Sequence, residues 1–140
     1  MKFSLVKKNS EKLNQNNPFL RDGVFLKESK YGGKGVFTNK PIKQGEVVEI
    51  APYLLVPIND ISENNTLKDY VFQCDDCNHL LVLGYGSMYN HQDNPNLRYQ
   101  YNDDQTMFSY LADRDIECNE ELCISYGDGY WSGREIKKVV

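Results

Sequence analysis

Four groups of side chains in this 140-residue chain are of types that could do chemistry. The first lies near its end, where Tyr126, Tyr130 and Trp131 are spaced around Gly127-Asp128-Gly129. Just before them Leu122, Ile124 and Tyr126 alternate with Cys123 and Ser125, the period of an extended strand. The glycines supply turn chemistry, so three aromatic groups with polar handles gather where a strand ends. Taken alone they read as the aromatic plug of a hairpin. The second group is Asn90-His91, which follows the tight, glycine-rich run Leu83 to Tyr89. A buried amide and imidazole must find partners, and beside a cleft they suit an adenine and an amino-acid head group. The third is Gly32-Gly33-Lys34-Gly35, whose backbone N–H groups could approach an anion or a cofactor tail. It is not a Walker loop, because no Ser or Thr follows the lysine, and a hairpin turn is the simpler reading. The fourth is Cys74-Asp75-Asp76-Cys77-Asn78-His79, which has zinc-like spacing. Cys118 and Cys123 do not form a second such pair, and a thiol inside a strand is ordinary packing. No metal is expected, and Cys74 to His79 reads as a surface loop.

The elements that position these groups are short strands. Val24-Phe25-Leu26 and Val36-Phe37-Thr38 flank the glycine-rich turn as a hairpin, and Val47 to Pro57 is rich in β-branched residues and bent by its prolines. Further extended runs cover Tyr70-Val71-Phe72, Leu80 to Leu83, Asn96 to Tyr101 and Thr106 to Ala112. No window of helical length carries an apolar stripe, so the fold class is mostly β. The length fits one domain. The stretch from Ser4 to about Asn17 is polar and reads as an arm. The expected division is an arm over 1–20, a domain over 21–131 and a tail over 132–140.

A net charge of −4 without clustered Lys or Arg argues against direct nucleic-acid binding. No apolar run reaches membrane-spanning length. The N-terminus meets lysines too soon for a signal peptide, so four cysteines read as reduced thiols in an intracellular protein.

In order, these pieces resemble a SET-domain protein lysine methyltransferase. Gly33-Lys34-Gly35-Val36-Phe37 is similar to the family's G-x-G motif, and Gly45-Glu46-Val47-Val48-Glu49 to the turn and strand after it. Asn90-His91 with Asn94-Pro95-Asn96 is similar to N-H-S-x-x-P-N, and Glu120-Glu121-Leu122 through Tyr126-Gly127-Asp128 to the closing E-E-L-x-x-x-Y-G-D. The match spans about residues 23 to 131 and looks closest to the short, stand-alone viral type. Gln92 and Asp93 depart from the usual serine and cysteine, and Ser87 stands where the family has an arginine.

The resemblance implies a fold of several short strands in small sheets, with a C-terminal segment threaded through a loop near Asn90 as a pseudoknot. It implies S-adenosyl-L-methionine as cofactor, held by Lys34, Gly35, Asn90, His91 and Trp131. Tyr126 is then the catalytic residue, and Tyr70, Ile124 and Tyr130 line the lysine channel. Ile124 offers no hydroxyl to hold a water, which hints at di- or trimethylation. A histone tail is the expected substrate, a homodimer the expected assembly, and the host nucleus the location if the source is viral. The alternatives are a SET-like module that binds a protein without turnover, supported by the changes at Ser87, Gln92 and Asp93, and a nucleic-acid-binding barrel, which lacks the clustered charge.

Overall fold

A computed structural model describes residues 17–102 and 107–127. Among these residues there are ten strands, two short 3-10 turns (Ile58–Asp60 and Thr66–Asp69) and no α-helix. The strands are β1 (Phe19–Leu20), β2 (Val24–Glu28), β3 (Lys34–Thr38), β4 (Val47–Pro57), β5 (Phe72–Gln73), β6 (Asn78–Val82), β7 (Asn90–His91), β8 (Leu97–Asn102), β9 (Met107–Ala112) and β10 (Glu121–Ile124). One sheet runs β5-β6-β4-β9-β8 with β1 added to β4, and the other runs β2-β3-β10-β7.

The long β4 serves both ends of its sheet. Its first half pairs with β9, with a register shift between Val47 and Glu49, while Tyr53 to Pro57 pairs with β6. Phe19 and Leu20 pair with Ile50 and Glu49, so the last two residues of the expected arm belong to the fold. Their apolar pair was too short to stand out as a strand against its polar flank.

The core is aromatic as well as aliphatic. Phe108 is fully buried, with Phe72 at 4.9 Å and Tyr110 at 5.1 Å between ring centroids. Burying one such ring stabilises the fold by roughly 1.5–3 kcal/mol. Tyr110 in turn lies 4.4 Å from Tyr89, which carries the core to the segment before Asn90.

The last strand among the described residues is central rather than at an edge. β10 pairs antiparallel with β3 on one side (Glu121 with Phe37, Leu122 with Val36) and parallel with β7 on the other (Cys123 with Asn90, Ile124 with His91). Leu122, Cys123 and Ile124 are all buried, so the packed thiol expected at Cys123 is found although its side chain alternates with those of Leu122 and Ile124. The cause is position: a strand covered on both faces buries both sets of side chains. The run Tyr70-Val71-Phe72 is shorter than expected, since Tyr70 closes a 3-10 turn and only Phe72 enters β5.

Candidate active site

Tyr126 stands two residues beyond β10, and three contacts fix it. Its N–H donates to Nδ1 of His91 at 3.0 Å, its hydroxyl donates to the carbonyl of Tyr89 at 2.8 Å, and the two rings lie 5.3 Å apart. The phenol therefore points inward. Because Nδ1 of His91 accepts, the neutral ring carries its proton on Nε2, which faces the Asp93 carboxylate at 3.0 Å. Asp93, one of the departures from the family pattern, thus accepts from the tautomer of His91 that the Tyr126 N–H selects.

A small pocket that opens to solvent lies beside the phenol, walled by Tyr70, Phe72, Tyr89, Ile124 and Tyr126, with Asp69 at its lining. Tyr70 reaches it from the 3-10 turn, Ile124 from β10 and Tyr89 from the segment before β7. Its walls combine the aromatic and aliphatic faces of Tyr70, Val71, Phe72 and Ile124 with polar groups from Asp69, Ser87 and the tyrosines.

On the other side of β10 is a polar network. The Asn90 amide nitrogen donates to Glu121 at 2.8 Å and to the carbonyl of Lys34 at 3.2 Å, and the Ser29 hydroxyl donates to the same carboxylate at 2.9 Å. Gly35 lies directly beneath it. A Cβ there would sit 2.2 Å from Glu121 Oε1, so any larger residue would displace that carboxylate from its present partners. The Lys34 amine is turned outward, paired with Glu28 at 2.6 Å, and only the backbone of Lys34 belongs to the site.

The structure thus brings Tyr126, Ile124 and Tyr70 around one pocket, sets Lys34, Gly35 and Asn90 in one network, and places His91 between them. Tyr130, Trp131 and the Asp128 turn lie outside the described residues. Among the described residues, no group of three His, Cys, Asp or Glu side chains could hold a metal ion.

Three supporting residues were not singled out from sequence. Asn96 is buried and donates to the Glu121 carbonyl at 2.8 Å while accepting from the Cys123 N–H at 2.9 Å, so it ties the loop after β7 to β10. All three were visible only as members of motifs, Asn96 in Asn94-Pro95-Asn96, Glu121 in Glu120-Glu121-Leu122 and Glu49 in Gly45 to Glu49. Glu49 is 3 % exposed; its carboxylate accepts from the Tyr89 hydroxyl at 2.8 Å and the Tyr85 N–H at 3.0 Å. Burial pushes its pKa above the usual carboxylate value, against the pull of those two donors. The signal for Glu49 was a lone charge inside the apolar run Val47 to Val56.

A small β domain with its final strand inserted beside an Asn-His segment, ending on an inward phenol, is the arrangement expected of a SET domain. The sequence matches the SET domain family over residues 33–127. The chain belongs to that family and is a SET-domain protein lysine methyltransferase. It is 33 % identical over 117 residues, 81 % of its length and 80 % of the relative's, to the histone-lysine N-methyltransferase of Schizosaccharomyces pombe specific for H3 lysine 37. It is also similar to the crystal structure of a Plasmodium falciparum protein described as a candidate histone methyltransferase. That likeness has a TM-score of 0.66 and 32 % identity, covering 81 % of this chain and all of the other. Both are eukaryotic, and neither supports the resemblance to the short viral type.

Proposed function

We propose that this chain transfers a methyl group from S-adenosyl-L-methionine to a lysine of a histone, with Tyr126 as the residue that holds the reacting amine. The observation that carries this reading is the Tyr126 hydroxyl, held by the Tyr89 carbonyl at the wall of a small pocket shared with Tyr70, Phe72 and Ile124. A histone substrate follows from the names of the relatives and would place the working enzyme in a nucleus.

The residues present fit the cofactor. A zwitterionic head group needs donors and acceptors on a short backbone platform. The Lys34 carbonyl, the Asn90 amide and the Glu121 carboxylate lie together there, beside the open glycines 32 and 33. When bound, the cofactor supplies a methyl group on a sulfonium, which needs little further activation. Lys34, Gly35, Asn90 and His91 would hold it; Trp131, the further residue expected to contact it, lies outside the described residues.

The chain's own task is to present a neutral amine in line. A lysine of ordinary pKa is neutral in about 1 of 2,500 molecules at pH 7, a deficit near ~4.6 kcal/mol. An apolar channel of Tyr70, Phe72 and Ile124 favours the uncharged form by desolvation. Holding the amine in line contributes roughly 7–11 kcal/mol, so positioning is the larger lever. The Tyr126 hydroxyl and the backbone carbonyls near it orient the amine, and Ile124 offers no water site, which supports di- or trimethylation.

Incubating the protein with labelled cofactor and histone H3 tests the reading, with Tyr126→Phe as the partner variant. The variant should bind cofactor as before by calorimetry while turnover drops at least ~100-fold. Unchanged turnover would remove Tyr126 from the mechanism. A homodimer is the proposed assembly, supported by Leu54 and Leu55, which are 53 % and 58 % exposed on β4. Sedimentation at a monomer's mass would overturn that part alone.

A further inference from the structure

We propose that Glu49 is a positioning residue that sets the acceptor of the Tyr126 hydroxyl by clamping the turn from Tyr85 to Tyr89. The inference rests on the reading of Tyr126 given above and extends it to a side chain of β4 that touches neither lysine nor cofactor.

The geometry is a two-point clamp. One carboxylate oxygen of Glu49 accepts from the Tyr85 N–H at 3.0 Å and the other from the Tyr89 hydroxyl at 2.8 Å, so both ends of the turn are tied to one side chain. Between them, the Gly86 carbonyl accepts from the Tyr110 hydroxyl at 2.5 Å, a third pin reaching in from β9. Gly84, at φ +63°, opens the turn, and a Cβ there would lie 2.5 Å from Glu49 Oε2. That backbone conformation and that close approach both call for glycine, so the turn is shaped around the carboxylate.

Two consequences reach the pocket. Gly86, Ser87 and Tyr89 are three of its lining residues, so the clamped turn is its wall. The same Tyr89 that gives its hydroxyl to Glu49 gives its carbonyl to Tyr126. Side chain and backbone of one residue are thereby coupled: the Glu49 end fixes where the acceptor stands, and the acceptor fixes the phenol. A leucine or methionine could fill the place of Glu49 without the cost of desolvating a carboxylate, but neither could direct two donors.

The test uses the full-length chain with S-adenosyl-L-methionine and a histone H3 peptide. Tyr89→Phe deletes only the hydroxyl, and Glu49→Gln keeps the shape while losing one of two equivalent acceptors. Each should lower kcat about tenfold, since small misplacements of reacting groups are costly. The cofactor dissociation constant and the peptide KM should stay within about twofold, because Glu49 does not line the pocket and the Tyr89 hydroxyl, the one group that Tyr89→Phe removes, is spent on Glu49. The double variant should be no slower than the slower single, as expected for two members of one unit. Wild-type kcat in Tyr89→Phe overturns the inference, as does a loss of rate that only follows the fraction of folded protein. Should Glu49→Gln not fold, Tyr89→Phe alone decides. Tyr126→Phe run alongside separates the two levels. If it is slow while Tyr89→Phe is not, Glu49 alone loses its role; if it turns over normally, the reading beneath falls and takes Glu49 with it.

Discussion

His79 and His91 sit in stretches of almost the same composition, each with an aspartate and an asparagine nearby, yet they end in different conditions. In the β5–β6 hairpin, Asp75 accepts from the N–H groups of Cys77 and Asn78, both at 2.7 Å, and so caps a local turn. His79 follows with Nδ1 buried and without a hydrogen-bond partner. At β7 the partners come from far along the chain: Tyr126 meets His91, and Glu121 meets Asn90. The difference is supplied by β10, some thirty residues downstream, which pairs with β7 and never approaches the hairpin turn in the strand order. Long-range pairing, rather than residue type, decides which polar loop becomes a site.

The strongest way to break that contrast is to remove the tie between the Asn90 segment and β10. Asn96→Ala strands the buried Cys123 N–H and the half-buried Glu121 carbonyl, both on β10. Leaving the buried N–H without a partner costs roughly 1–3 kcal/mol, with a smaller loss at the half-buried carbonyl, a large part of the stability of a domain this size. Urea unfolding should register that loss. Asp75→Ala, which removes two bonds at an exposed turn, should move the same midpoint far less. Equal losses would mean that the two loops are knit to the fold alike.

A pH series sharpens the comparison from the side of His79. Burial holds its pKa below the ordinary imidazole value, so the unfolded chain takes up the proton first as pH falls through about 6.5. The stability it contributes is present above that pH and is lost as the pH drops toward the folded-state value. Glu49 works with the other sign and in a lower range: its raised pKa keeps the folded state protonated longer, so it loses stability as pH rises through the carboxylate range. Replacing His79 with phenylalanine should flatten the decline between pH 7.5 and 5.5. A decline as steep as wild type would show that His79 is solvated in both states.

The sequence carried the strand-rich class and the motif order because both are local or ordered along the chain. The β2–β3 hairpin shows in the glycines between two apolar runs, and Val47 to Pro57 shows in its β-branched content. Tyr126, Ile124, Tyr70, Asn90 and His91 could be named because their motifs keep their spacing. What lay out of reach was the pairing of distant pieces. Nothing in Asn90-His91 announces a strand two residues long, which exists only because β10 lies beside it. The clamp at Glu49 joins residues forty apart, and a lone glutamate in an apolar run says that a partner must exist without saying which. Asn96 is equally silent, since a turn-forming asparagine and a buried one read alike.

The smallest expected effect concerns the thiols, which report on the same two regions without touching activity. Cys123, in β10, has its pKa pushed up to about 12 by burial and, second, by the Glu121 carboxylate beside it. Cys77, at the tip of the hairpin, is exposed. The thiolate is the reactive form, so a thiol held near 12 is almost wholly protonated at pH 8 and also shielded from reagent. Brief alkylation of the native protein with iodoacetamide, read by peptide mass spectrometry, should mark Cys77 well before Cys123, with the gap closing in urea. The order depends on β10 staying paired on both edges, so Asn96→Ala should speed the labelling of Cys123 and leave that of Cys77 as it was. If Cys123 reacts as fast as Cys77 in the native chain, β10 is not held between β3 and β7, and the contrast between the two histidine loops loses its cause.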